Sequence, residues 1–517
     1  MPHAEDQITR RERHRTPPSG GSRLARDSVL NLLGQGTPFL AALFSIPLLI
    51  RGLGTDRFGV LTLAWMVIGY FSLFDLGLGR ALTQLVAERV GEGGETHAPP
   101  LVWTALAVMF ALGLLGTLVV SLISPWMVYS VLKIPEGLQR ETVQSFFLLA
   151  AAIPIVVVTA GLAGILSAFQ RFGVLNAIRA PMGIYSFLAP LAILPFSQSL
   201  LVVTAVLVIG RLVAGGAHLM ACLPVMPRLR SVAPQPAAVR SLFHFGAWMT
   251  VTNVIGPLMM YLDRFVIGAT LTVAAVAYYA TPYEVVTKLL VIPGAILGVL
   301  FPAFAASYRQ DHDRMVRLFV RGTKYIAFAL FPVTLVIIAF AHEGLQWWLG
   351  AEFARHSAPV LQGLAIGVFI NSLAQLSATL VQGVGRPDLT AKLHLLELPF
   401  YLPGLWLAIH SYGVVGAALA WSGRVAVDGV LLFWLSSRLL QDSALLKRMA
   451  AALLAALGAL VLPLLAAAPV PRAATVLLLM VAFVSSAWFV VLAEDERASI
   501  KGRLGRIWVR LRSEPRW

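Results

Sequence analysis

Cysteine is nearly missing from this chain. The one copy, Cys222, excludes an internal disulfide framework and any multi-cysteine zinc or iron–sulfur centre, and its place in an apolar run reads as filler within a helix. Charge is scarce too. Only 13% of the 517 residues are Asp, Glu, Lys or Arg, while 58% are hydrophobic. A water-facing surface needs more polar cover than that, so a soluble protein is excluded. Among the charges, acid is the rarer sign, 25 residues against 40 Lys and Arg. Catalytic motifs are missing as well. His342-Glu343 has no second histidine four residues on, so it is no zincin. Gly77 and Gly79 follow no strand, which excludes a dinucleotide loop, and there is neither a P-loop nor a nucleophile elbow. No enzyme activity, cofactor or metal is expected.

What the chain does have is long apolar runs. A helix needs ~20 largely apolar residues to cross the ~30 Å hydrocarbon core. Fourteen such runs occur, at 28–50, 58–78, 101–123, 142–169, 174–194, 200–226, 242–262, 273–304, 318–341, 358–381, 393–409, 414–435, 449–468 and 473–492. Mean hydropathy is +0.79. Outer-membrane strands are ~10 residues long and alternate polar with apolar, so a β-barrel does not fit. The expectation is an all-α integral membrane protein of about fourteen transmembrane helices. Met1–Gly21 is polar and basic rather than a signal peptide, so the first span is expected to be retained.

The basic excess has a position. Arg10, Arg11, Arg13, Arg15, Arg23 and Arg26 precede the first run; Arg228, Arg230 and Arg240 separate the sixth and seventh; Arg309, Arg314, Arg317, Arg321 and Lys324 separate the eighth and ninth. Arg438, Lys447 and Arg448 follow the twelfth, and seven Lys or Arg fill the tail from Arg497 to Arg516. All fall on one side if both termini are cytoplasmic, with roughly 30 Lys/Arg inside and about 7 outside, the positive-inside bias of an inner membrane. The net +15 is therefore a topology signal, its natural partner anionic lipid and not nucleic acid. Ile500, Leu504, Ile507, Trp508 and Leu511 recur at helical spacing among arginines, which suits either an amphipathic surface helix or a basic tail.

Loops are short, and no soluble catalytic domain fits between runs. The Pro-bearing basic linker 227–240 divides twelve spans into six plus six. The expected organisation is a basic cytoplasmic segment (1–26), an N-lobe of spans 1–6 (27–226), the linker (227–240), a C-lobe of spans 7–12 (241–440), spans 13–14 (441–493) and a basic cytoplasmic tail (494–517). An even number of spans per half permits parallel repeats about an axis along the membrane normal.

Ionisable groups within spans are costly and usually face a cavity or a partner. The candidates are Asp75 and Arg80 at the end of span 2, Arg211 in span 6, Asp263 and Arg264 closing span 7, Glu284 and Lys288 in span 8, Glu397 in span 11, and Arg424 and Asp428 in span 12. Glu284/Lys288 and Arg424/Asp428 are each four apart, on one helical face. Two readings stand side by side: local charge pairs that lock helices, or a polar, partly cationic cavity suited to an anionic, hydrated group such as pyrophosphate. Asp75, with Gly77 and Gly79 beside it, is expected to act as a latch or a coupling group bonded to a neighbouring helix, with Arg80 and Glu397 in the same conformational role; Arg80 can also be a snorkelling residue.

A resemblance enters on two stretches. Residues 31–88 carry Asn31 after a basic start, Leu53-Gly54, Phe58-Gly59-Val60 and Asp75-Leu76-Gly77-Leu78. Residues 242–307 carry Leu262-Asp263-Arg264-Phe265-Val266-Ile267-Gly268, Tyr278-Tyr279 and Phe301-Pro302-Ala303. Both resemble the bacterial polysaccharide repeat-unit flippases of the Wzx type, in the MOP exporter superfamily. That resemblance implies two six-helix bundles in a MATE-like V plus two C-terminal helices, with spans 1, 2, 7 and 8 lining a central cavity. It also implies flipping of undecaprenyl-pyrophosphate-linked oligosaccharide across the inner membrane, with polysaccharide polymerase machinery as a partner. Rival readings are a cation-coupled drug antiporter or a peptidoglycan-precursor flippase of the same superfamily. A membrane polymerase or glycosyltransferase is the alternative of a different class; it would want a large outside loop or a clustered acidic motif, and neither is visible.

Overall fold

The computed structural model describes residues 20–70, 74–91, 98–227, 262–308, 311–441, 443–466, 468–491 and 497. They are helical nearly throughout, with no strand among them. Lipid offers the backbone no hydrogen bonds, so each span must satisfy its own N–H and C=O groups. The hydroxyls follow the same rule: Thr62, Thr104, Thr204, Thr323 and Ser372 all donate to the carbonyl four residues back. The chain divides into two compact units, Met1–Tyr261 and Leu262–Trp517. The expected linker lies, but for Pro227, outside the described residues, as do the seventh span up to Tyr261 and all but Arg497 of the basic tail.

In the first unit the helices are α1 (Gly20–Leu53), α2 (Thr55–Tyr70), α3 (Leu78–Gly91), α4 (Ala98–Trp126), α5 (Glu136–Ala151), α6 (Ile153–Ala168), α7 (Phe172–Ile193) and α8 (Leu200–Val225). α6 is central, packed against α3, α4 and α8, while α1 packs on α7. Small residues set the α3–α6 crossing: a Cβ on Gly164 would lie 2.8 Å from the Gly79 carbonyl oxygen and 2.5 Å from Thr83 Oγ1, so side chain there would push the helices apart.

The second span closes on a turn. The apolar run 58–78 predicts one helix; α2 is described to Tyr70, residues 71–73 lie outside the described residues, and α3 begins at Leu78. Between them Leu76 (φ 47°) and Gly77 (φ 75°) are left-handed. Asp75 holds this turn, its Oδ1 accepting the Gly77 N–H at 2.7 Å. An Asp that bonds the backbone two residues on competes with helix, which hydropathy does not register.

The second unit contains α9 (262–270), α10 (Val273–Thr287), α11 (Val291–Ser307), α12 (His312–Ala339), α13 (Ala341–Leu349), α14 (Ala351–Gly383), α15 (Pro387–Leu440), α16 (Ser443–Val461) and α17 (Pro469–Ser486). α14 is its axis, with α10, α11, α12, α13 and α15 around it and Leu364, Val368, Phe369, Leu376 and Leu380 buried between them. α16 and α17 pack chiefly on α12. Phe483 stacks on Phe331 at 4.5 Å, and Arg472 bonds Glu343 Oε1 at 2.7 Å and the Ala339 carbonyl at 3.2 Å.

α15 is formally one helix of 54 residues, which at 1.5 Å per residue would reach about 81 Å, far more than a bilayer core. It is instead a hairpin. Gly413 has φ 59° and ψ −139°, close to a region that essentially only glycine enters. Residues 397 and 424 would stand about 40 Å apart on a straight helix, yet their side chains meet at 3.5 Å. The two arms are the predicted spans 393–409 and 414–435. Among the described residues, eight helices are long and apolar enough to cross a membrane, α15 counted once, and Thr37–Leu53 and Met449–Leu465 are shorter apolar helices.

Candidate functional site

The second unit gathers seven of the ten candidate residues into two ionic clusters. The first joins α9, α10 and the turn after it. Asp263 is fully buried and accepts the Tyr279 hydroxyl proton and, at 2.8 Å, the Arg264 N–H. Arg264 is 3% exposed. Its Nη2 donates to Glu284 Oε1 at 2.9 Å, and its guanidinium lies 4.8 Å over the Tyr283 ring. Glu284 is shared: Lys288 Nζ approaches its second oxygen at 3.6 Å. The cluster runs from a sealed interior to a half-exposed rim, where the Glu284 and Lys288 side chains are accessible. Tyr283 stacks on Tyr279 and meets Trp421 of α15 edge-on.

The second cluster ties the two arms of α15 together. Arg424 Nη1 lies 3.5 Å from Glu397 Oε2, with its guanidinium 5.4 Å over the Tyr401 ring. Asp428 Oδ1 lies 3.6 Å from His394 Nε2. The predicted one-turn pairing of Arg424 with Asp428 gives way to these cross-hairpin partners, because the reversal at Gly413 brings the first arm closer than the next turn of the same helix. Glu284/Lys288 pairs as its spacing implies.

The other three candidates lie in the first unit. Asp75 caps its own segment, as described above. Arg80 is exposed on α3. Arg211 lies half-buried on α8, and no carboxylate among the described residues reaches ion-pair distance of it. The sequence suggested a surplus of cations. In the second unit four carboxylates (Asp263, Glu284, Glu397, Asp428) face three Lys/Arg (Arg264, Lys288, Arg424) and one histidine, so this region is polar without being strongly cationic. Sequence reasoning missed His394, Tyr283 and Tyr401. His394 stands three residues before Glu397 and Tyr401 four after it, a helical spacing that could have flagged both. No group of three potential metal ligands occurs among the described residues.

These features define a polytopic helical membrane protein with ionic clusters inside its spans. Solved structures share the fold: an inward-facing multidrug MATE transporter of the MOP superfamily (TM-score 0.66, 15% identity, 81% of this chain, 100% of that one) and the lipid II flippase MurJ (TM-score 0.66, 14% identity, 89% and 99%). A family model described as polysaccharide biosynthesis protein matches residues 48–358. The putative O-antigen transporter of Shigella flexneri is 30% identical over 419 residues, 80% of this chain and 98% of that one. The lipopolysaccharide biosynthesis protein WzxC of Escherichia coli is 23% identical over 207 residues, 40% of each. The chain belongs to the polysaccharide biosynthesis protein family.

Proposed function

We propose that this protein flips lipid-linked oligosaccharide repeat units, carried on undecaprenyl pyrophosphate, from the cytoplasmic to the periplasmic leaflet of a bacterial inner membrane for surface polysaccharide biosynthesis. The observation that carries this reading is the likeness to an O-antigen transporter along 98% of that protein's length. The ionic clusters support it. Charged side chains at membrane depth are costly, and they serve a hydrated substrate better than an apolar one. The guanidinium of Arg424 offers planar donors to phosphate, and the rim formed by Glu284 and Lys288 offers hydrogen bonds to sugar. Arg211 supplies a further cation in the first unit. The protein is then a transporter rather than an enzyme, with a polysaccharide polymerase consuming its product on the far side. The positive-inside bias puts both termini in the cytoplasm, where the basic segments meet anionic lipid.

Reconstitution tests the reading. Fluorescent undecaprenyl-pyrophosphate-linked oligosaccharide is placed in both leaflets of proteoliposomes, and a membrane-impermeant reagent is added outside. Exposure of the inner pool, dependent on the protein, is expected. An inner pool that stays protected in vesicles that instead transport an organic cation would replace this reading with a drug antiporter.

A further inference from the structure

The two arms of α15 enclose a cleft of about 510 Å³, within the size range of ligand pockets. Its walls are apolar and exposed: Leu396, Phe400, Leu419 and Val427 are all at least half exposed. Gly404 and Gly423 line it from opposite arms, and a Cβ on either would meet nothing within 4 Å. The space is therefore built by missing side chains. One end, toward the start of α15, is polar. There Glu397 and Tyr401 are more than nine-tenths buried; Glu397 faces Arg424 and the Asp428 carboxyl, and the Tyr401 hydroxyl and Arg424 Nε have no hydrogen-bond partner. The Arg424–Glu397 contact of 3.5 Å is loose beside the ~2.7–2.9 Å of a tight charge-assisted bond. Asp428 and His394 adjoin it.

We infer that this cleft holds the polyisoprenoid tail of the lipid-linked substrate, its head end at Glu397, Tyr401 and Arg424. The inference rests on the function proposed above. Length favours this occupant over a bilayer phospholipid. From Leu396 to Tyr412 the lining covers sixteen helical rises, about 24 Å, whereas an acyl chain fills one leaflet, about 15 Å, half of the ~30 Å core. Polarity agrees with length. An ordinary lipid contact needs only an apolar wall, but this wall ends in buried donors and acceptors, which suit a head carrying phosphate oxygens and sugar hydroxyls together. With both termini inside, the first arm of α15 runs outward, so the polar end faces the cytoplasmic leaflet where the substrate enters.

Photolabelling of the full chain in liposomes tests the inference, with undecaprenyl pyrophosphate carrying a diazirine in its tail and phosphatidylglycerol carrying one in an acyl chain. The isoprenoid probe is expected to label 400–404 and 419–423 about tenfold over Leu407 and Val430, exposed α15 residues outside the cleft, and unlabelled undecaprenyl pyrophosphate is expected to compete. Equal labelling of both faces, or phosphatidylglycerol labelling of the cleft that undecaprenyl pyrophosphate does not displace, overturns it. In parallel, the Gly404→Leu/Gly423→Leu double variant fills the cleft while replacing two glycines with a better helix former. Its flipping is expected to fall about tenfold at undiminished thermal stability; unchanged flipping overturns the inference. If the wild type labels in the cleft but flips nothing, the cleft stands and the proposed function falls.

Discussion

Arg264→Leu probes the buried cluster most directly. Arg264 is 3% exposed and Asp263 is fully buried. The substitution removes the 2.9 Å bond to Glu284 and the stacking on Tyr283. It also leaves Asp263 as a buried charge with only the Tyr279 hydroxyl and one backbone N–H for partners. Breaking a buried pair from one side costs ~3–5 kcal/mol, because the surviving charge has lost its counter-charge. At ~2–4 °C per kcal/mol for a unit of this size, the melting temperature falls by roughly 6–20 °C. Glu284 adds little to the loss, since its side chain is partly exposed and keeps Lys288. The assay is thermal unfolding of purified protein in detergent by intrinsic fluorescence, run as a double-mutant cycle with Asp263→Asn. Neutralising the orphaned acid is expected to recover at least about 1 kcal/mol of the loss. Arg264→Leu melting with the wild type, or a double variant no better than Arg264→Leu alone, would refute the reasoning.

Asp75→Asn keeps an acceptor for the Gly77 N–H and is expected to fold and transport nearly as wild type, whereas Asp75→Leu loses the cap, at a cost of about 1–2 kcal/mol, and transport with it; an Asn variant as inactive as Leu, yet folded, would mean that charge or protonation is required. Gly413→Ala forces a Cβ into a positive-φ turn and is expected to destabilise by ~1–3 kcal/mol, while Gly404→Ala, on a helix with open space beside it, is expected to be neutral or to stabilise by up to ~1 kcal/mol; equal melting temperatures for the two would contradict the hairpin geometry. After Cys222→Ala, single cysteines in 124–141 are expected to react with an impermeant thiol reagent in intact cells and those in 441–448 only after permeabilisation; the reverse pattern would invert the topology.

Length and hydropathy made most of the architecture legible, since a bilayer fixes the length of a span and permits little but helix. Departures occur where a side chain or a backbone angle acts locally. Asp75 bonds its own backbone at the end of the run 58–78, and Leu76 and Gly77 turn left-handed beside it, a local geometry that hydropathy does not carry. Gly413 lies between two runs that hydropathy did separate, but the angle that folds them together is invisible in composition. The candidate site was legible as a set of residues and not as a set of partners. Glu284 and Lys288 pair as spacing predicts, because a helix fixes that geometry. Arg424 and Asp428 do not, because their nearest charges arrive from the other arm of a hairpin.

The two clusters differ in how well their charges are satisfied. Arg264 and Asp263 form short bonds in a sealed interior. Such a group is expensive to break, and it fixes α9 against α10. Across the arms of α15, contacts of 3.5 and 3.6 Å leave buried donors and acceptors open. A cationic residue at the centre of a span costs ~2.5–3.5 kcal/mol to insert, and a loose pair returns little of that. A well-packed apolar residue at 424 would be at least as stable. Stability therefore accounts for the first cluster and not for the second. What the hairpin gains from Arg424, Glu397 and Asp428 is polar capacity left open at the end of an apolar cleft. A transporter of an amphiphile needs both an apolar path and a polar stop, and α15 carries the two on one pair of arms.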